Sequence, residues 1–231
     1  MATMELYFDL DGTLVDSADG ILASLEAALA AFGLQPAVAL DRGLIVPPLR
    51  QTLQFVAAGT DPCLLDGLVA AFKAHYDRQG CLATRPYPGV DQMLAAWASQ
   101  GHRMRVVTNK RLAPALSILR ALGLDTLFVG IHALDETDPP APSKADLLTR
   151  VVGQSKTRQM GLMVGDSPDD GRAALANKMP FIFAEYGYGR MDEPSIPVTA
   201  HIQSLPELDA VVQSLVQPLG YPGGCHVRGT P

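Results

Sequence analysis

Short apolar runs rich in β-branched and aromatic residues recur at residues 4–8, 104–108, 126–131, 160–164 and 180–184, each of strand length rather than helix length. Between them, apolar positions fall at helical spacing from Gln92 to Gln100, Leu112 to Leu122, Ser143 to Val152 and Asp170 to Asn177. Alternation of this kind predicts a doubly wound α/β fold. Parallel strands need crossover helices, and those helices cover both faces of the sheet. Ser143-Lys144-Ala145-Asp146 has the spacing of a capping box, so Ser143 is expected to cap a helix whose first turn carries Lys144.

Residues 16 to about 85 break the alternation. Ala18 to Phe32 is an alanine- and leucine-rich helical stretch ended by Gly33, and Gln51 to Ala58 and Leu64 to Gln79 read as further helices. Pro47-Pro48 and Thr60-Asp61-Pro62 separate them, and Arg85-Pro86-Tyr87-Pro88-Gly89 returns the chain to the strand-helix pattern. The expected organisation is a core of residues 1–15 and 86–215, a small inserted helical cap of residues 16–85 joined by proline-bounded hinges, and a tail. That tail, residues 216–231, is rich in proline and glycine without periodicity and is expected to be poorly ordered.

The chemistry concentrates where strands end. Tyr7-Phe8-Asp9-Leu10-Asp11-Gly12-Thr13 delivers two carboxylates two residues apart into a glycine turn. Residues i and i+2 leave a strand on one side, so both can face one reacting atom: one aspartate to attack phosphorus, the other to move protons. A strand ending in an Asx turn is the bland alternative. In Val106-Val107-Thr108-Asn109-Lys110 a strand ends in a hydroxyl and an amide able to donate to phosphate oxygens, although Thr-Asn there is also an ordinary helix start. Gly161-Leu162-Met163-Val164-Gly165-Asp166-Ser167-Pro168-Asp169-Asp170 ends a strand in one exposed acid and adds a second four residues later. Together with Asp9 these offer carboxylate oxygens suited to Mg2+. Ser167-Pro168-Asp169-Asp170 also reads as an N-cap serine, N1 proline and N3 acid, so Asp170 has two candidate roles.

These four stretches resemble the motifs of the haloacid dehalogenase-like (HAD) hydrolase superfamily. The likeness runs from Leu6 to about Leu208, most specifically in the first and fourth motifs, and implies a HAD-like core with a cap. It implies Asp9 as nucleophile, Asp11 as acid and base, Thr108 and Asn109 as phosphate ligands, and Lys144 as the cation that offsets charge, with Lys110 its rival. It implies Mg2+ held by the Asp9 and Asp166 side chains and the Asp11 backbone carbonyl, with Asp170 helping. The third motif departs from the frequent Lys-Pro pattern, reading Lys144-Ala145. Asp11 argues against the dehalogenase branch, and phosphomonoester hydrolysis is the expected reaction.

Asp16-Ser17, Tyr87-Pro88-Gly89-Val90 and Thr108-Asn109-Lys110 look like phosphoglycolate phosphatases. Val46-Pro47-Pro48-Leu49-Arg50, Tyr76 and Tyr186-Gly187-Tyr188-Gly189 look like HAD 5′-nucleotidases. A sugar-phosphate mutase and an inactive binding protein on the same scaffold remain as alternatives. Arg42, Arg50, Arg78 and Arg85 are the candidate substrate cations of the cap, Arg50 foremost because it follows a rigid Pro-Pro; Phe55 and Tyr76 are its candidate stacking aromatics, with core packing the competing reading for both.

Composition narrows the partners. The 231 residues are 48% hydrophobic and 18% charged, with a formal net charge of -6 and no basic cluster, which argues for a sizeable core and against nucleic acid. Three scattered cysteines without CxxC spacing argue against a disulfide framework or a zinc site. No apolar run approaches membrane-spanning length. The expectation is a cytoplasmic monomer or homodimer acting on a small phosphorylated metabolite.

Overall fold

The computed structural model describes residues 3–45, 48–155 and 161–216. Six parallel strands form its main sheet: β1 (Glu5–Phe8), β4 (Arg103–Thr108), β5 (Gly130–Ala133), β6 (Gly161–Gly165), β7 (Phe181–Ala184) and β8 (Ala200–Ile202). Their order is β5-β4-β1-β6-β7-β8. The chain builds outward from β1 on one side, then crosses back to start the other half at β6. The carboxyl ends of β4, β1 and β6 therefore flank a topological switch point, where open α/β sheets bind ligands.

Alternation along the strands divides the core into two layers. Leu6 and Phe8 of β1, Val106 of β4, Leu162 and Val164 of β6, and Ile182 of β7 face one layer, where α4 (Val90–Ser99), α5 (Leu112–Ala121) and α8 (Leu208–Val216) pack. Tyr7, Val107, Met163, Phe181 and Phe183 face the other, covered by α6 (Lys144–Gln154) and α7 (Pro168–Ala176). Trp97 of α4 is 1% exposed, stacks on Phe8 with centroids 6.2 Å apart, and donates its indole N–H to Asp209 at 3.0 Å. Truncating such a buried aromatic to alanine costs about 3–5 kcal/mol.

Three helices lie between the first and third strands of the chain: α1 (Ala18–Ala30), α2 (Leu49–Val56) and α3 (Leu65–Arg78). Their apolar faces, including Leu25, Leu53, Leu68 and Phe72, meet each other and join the first core layer. Both passages to the sheet run through a two-stranded antiparallel ribbon, β2 (Val15–Asp16) against β3 (Arg85–Pro86).

Five short or shifted elements, β5, β8, the two ribbon strands and α8, differ from the sequence reading. The strand expected at 126–131 lies at Gly130–Ala133, because Asp125–Leu127 forms a 3-10 turn and pairing with β4 sets the register from Arg105↔Gly130 to Thr108↔Ala133. β8 and the ribbon carry three and two residues per strand, too few to show a period. α8 continues beyond Leu208, where the sequence pattern offered no helix. Val46, Pro47 and all of the expected tail beyond residue 216 lie outside the described residues.

Candidate active site

β1 stops at Phe8 and places Asp9 one residue past its carboxyl end, where the Asp9 N–H still donates to the Val164 carbonyl of β6 at 2.9 Å. Gly12 then turns the chain with φ +82°, a left-handed conformation that suits glycine. Asp166 follows β6 directly, and Thr108 closes β4. Lys144 and Asp170 come from the first turns of α6 and α7. Ser143 caps α6 by accepting from the Asp146 N–H at 3.1 Å, as its spacing predicts.

Asp9, Asp166 and Asp170 are buried and offer oxygens that all lie within 4.8 Å of one another. Lys144, 2% exposed, donates from Nζ to Asp9 Oδ1 and Asp170 Oδ1, both at 2.6 Å. Burial opposes its charge, but the two carboxylates outweigh that and hold its pKa above an ordinary lysine's. Burial raises Asp9 well above the usual carboxylate range; Lys144 pulls it back, and the Asp170 and Asp166 charges add to the rise. Burial, then the Asp170 charge, pushes Asp166 up to about 6. Asp170 does two jobs, because Oδ2 also accepts from the Ser167 N–H at 3.0 Å and the Ser167 hydroxyl at 2.7 Å.

Asp11 points to different partners. Lys110 donates to its two oxygens at 2.9 and 2.8 Å, and the Ser17 hydroxyl donates to Oδ1 at 2.5 Å. Lys110 and Lys144 thus divide the carboxylates, rather than competing for Asp9. Lys110 also lies 4.6 Å from the centre of the Tyr76 ring. The Thr108 hydroxyl accepts from the Lys110 N–H at 3.1 Å, and the Asn109 amide donates to Asp169 at 2.6 Å.

A feature beyond the four motifs holds Asp166. The Tyr188 and Gly189 N–H groups donate to Asp166 Oδ2 at 2.7 and 3.3 Å. A Cβ at Gly187 would come within 2.2 Å of Asp166 Cβ and 2.5 Å of the Gly12 carbonyl oxygen, so the loop lies against the acid only because glycine stands there. The Tyr188 phenol reaches the ribbon, accepting from the Ser17 N–H at 2.7 Å and donating to Asp16 at 2.8 Å. Arg42 pairs with the other Asp16 oxygen at 2.7 Å. The alternation Tyr186-Gly187-Tyr188-Gly189 was the available sequence signal for this loop.

Asp9, Asp11, Asp166, Lys144, Thr108, Asn109 and Lys110 line one cavity of about 730 Å3, and Asp170, fully buried, stands behind Lys144. The four arginines singled out between residues 16 and 85 do not line it. Arg42 faces Asp16, exposed Arg50 pairs with exposed Asp66 at 2.6 Å, Arg78 bonds the Ala74 carbonyl, and Arg85 is exposed on β3. Lys73, which makes no ion pair among the described residues, is the cation that α3 contributes to the lining. Phe55 is 56% exposed and lies outside the cavity, whereas Tyr76 is buried and lines it.

A doubly wound sheet with acids and lysines gathered at its switch point is an arrangement suited to binding and reacting a phosphate group. The comparisons make the class specific: the chain belongs to the haloacid dehalogenase-like hydrolases, whose family model matches residues 6–184. It is 33% identical to a phosphoglycolate phosphatase of Rhodospirillum rubrum over 98% of this chain and 95% of that protein. It is 30% identical to a 5′-nucleotidase of Pseudomonas aeruginosa over 81% of this chain and 85% of the relative. A Mycobacterium tuberculosis relative named tyrosine-protein kinase PtkA is 33% identical, over 88% of this chain and 70% of its own length. The solved structure of that kinase superposes with a TM-score of 0.78 at 31% identity, covering 91% of this chain and 98% of the other. The protein is a phosphatase of this family. Among the described residues no helix is long and apolar enough to cross a membrane.

Proposed function

We propose that the protein is a Mg2+-dependent phosphomonoesterase that passes the phosphoryl group through an aspartyl-phosphate on Asp9, with residues 16–85 acting as a cap over the core. The observation that carries this reading is the buried cluster of three carboxylates, two of which share one ammonium. An all-oxygen donor set with excess negative charge suits a hard divalent cation. Asp9, Asp166 and Asp170 would hold Mg2+ together with the Asp11 backbone carbonyl, and the cation would let an anionic nucleophile meet an anionic phosphate.

An Asp9 oxygen attacks phosphorus, and the bond to the ester oxygen breaks. Asp11 gives the departing alkoxide a proton. The Thr108 hydroxyl and the Asn109 amide donate to phosphoryl oxygens, and Lys144 offsets charge gathered on Asp9 and the transferring group. Asp11 then takes a proton from water, whose oxygen attacks the phosphorus and frees phosphate and Asp9. Lys110 and Ser17 hold the Asp11 carboxylate in place between these steps.

The first esters to assay are those named for the relatives, phosphoglycolate and 5′-nucleotides, beside sugar phosphates. Mg2+-dependent phosphate release from the wild type and none from Asp9→Asn is the expected result. Full activity in Asp9→Asn overturns the mechanism, and sugar-phosphate isomerisation without net release points to a mutase.

A further inference from the structure

The face of the cavity opposite the acids is apolar. Ile21 and Leu25 of α1, Leu44 and Ile45 of the segment between α1 and α2, Leu49 of α2 and Phe72 of α3 line it. Phe72 and Tyr76 stack with centroids 5.6 Å apart and planes 5° from parallel, adding an aromatic shelf next to Lys110. At about 730 Å3 the cavity falls within the range of ~300–1,000 Å3 that holds drug-sized ligands.

The charge at the reacting end points the same way. Four carboxylates, Asp9, Asp11, Asp166 and Asp170, meet two ammonium groups there, and both ammoniums are already bonded to them. A divalent cation would balance that set before the phosphate arrives. A carboxylate on the substrate, one or two carbons from the ester oxygen, would then face Asp11 and two ammonium groups already bonded to carboxylates. Lys73, the lining cation without an ion pair among the described residues, stands next to Phe72 on α3. Arg111 and Arg172 on the rim are each paired, with Asp77 and with Asp169 and Glu193.

Resting on the phosphatase reading, we propose that the preferred substrate is a phosphate ester whose leaving alcohol carries an apolar or aromatic body, seated against Leu49 and the Phe72–Tyr76 shelf, in preference to a short carboxylated ester such as phosphoglycolate. Lys73 leaves room for one acceptor group on that body.

The test separates recognition from turnover. Binding of 2-phenylethylphosphonate, ethylphosphonate and phosphonoacetate to the Mg2+-loaded wild type is measured by calorimetry. The phenyl compound should bind about tenfold tighter than either other, the return expected from burying part of one ring. Leu49→Glu should bring its advantage over ethylphosphonate below about threefold, since a carboxylate in the apolar wall is left without a partner. Phosphonoacetate binding tightest, or three affinities that are equal or unmeasurable, overturns the proposal. The corresponding phosphate esters are then assayed for phosphate release. No release alongside the phenyl preference would sink the phosphatase mechanism and leave the pocket assignment standing.

Discussion

Replacing Lys144 by methionine keeps most of the side chain's volume and removes its charge. The ammonium bonds Asp9 and Asp170 at 2.6 Å each, with Lys144 2% exposed and Asp170 fully buried. Its loss leaves three buried carboxylates with no counter-charge. Removing one partner of a buried ion pair costs about 3–5 kcal/mol, because the surviving charge stays desolvated. The cost should depend on pH. Burial already holds Asp9 well above its unfolded value, and the variant raises it further. A raised carboxylate pKa contributes stability that is complete below the unfolded pKa and is lost as pH rises through the folded one. Lys144→Met should therefore lose the full amount at pH 8 and clearly less at pH 5, where the carboxylates take up protons. Urea denaturation in EDTA at the two pH values gives both numbers. A loss below about 1 kcal/mol at pH 8, where this geometry predicts several, or one equal at both pH values, would refute the view that Lys144 is the charge partner holding the cluster together.

Three further outcomes follow from the same geometry. Gly187→Ala pushes a Cβ into Asp166 and the Gly12 carbonyl, and should raise the Mg2+ concentration for half-maximal activity about tenfold or more, by analogy with lost support of a metal ligand; an unchanged Mg2+ titration contradicts the loop's role. Tyr188→Phe removes the hydroxyl joining the Ser17 N–H to Asp16 and should cost about 1–2 kcal/mol in urea denaturation; no measurable loss would show that the bridge is dispensable. Asp166, raised to about 6 by burial and by Asp170, makes the metal-free protein more stable below pH 4 than above pH 6. Since Mg2+ takes the ionised form, its Tm increment should be larger at pH 8 than at pH 5, and a thermal shift that is equal at both contradicts this.

Much of the fold and of the cluster was legible because both depend on local pattern. Asp9, Asp11, Thr108 and Asp166 stand at or just past the ends of strands marked by apolar runs, and Lys144 and Asp170 stand in helix starts marked by capping serines. Parallel topology then carries all six to one edge. What stayed hidden depends on partners far apart in the chain. The Tyr188 phenol meets Ser17 across 171 residues, and nothing in either segment's own pattern encodes that pairing. β5 lies four residues later than its apolar run begins because pairing with β4 decides register, and Gly-Ile-His-Ala carries little strand signal of its own. The arginines between residues 16 and 85 were visible as cations but not in direction: Arg50 is drawn to Asp66 on the next helix, and Arg42 to Asp16 in the ribbon.

The central claim is that phosphorus is bonded for a time to Asp9. The most direct measurement is rapid acid quench of the Mg2+-loaded enzyme during turnover of its best ester, followed by peptide mass analysis. The mechanism predicts the mass of one added phosphoryl group on the peptide containing Asp9, lost on mild base treatment and missing from Asp9→Asn. Metal-dependent phosphate release that persists in Asp9→Asn, with no phosphorylated peptide from the wild type, would contradict it.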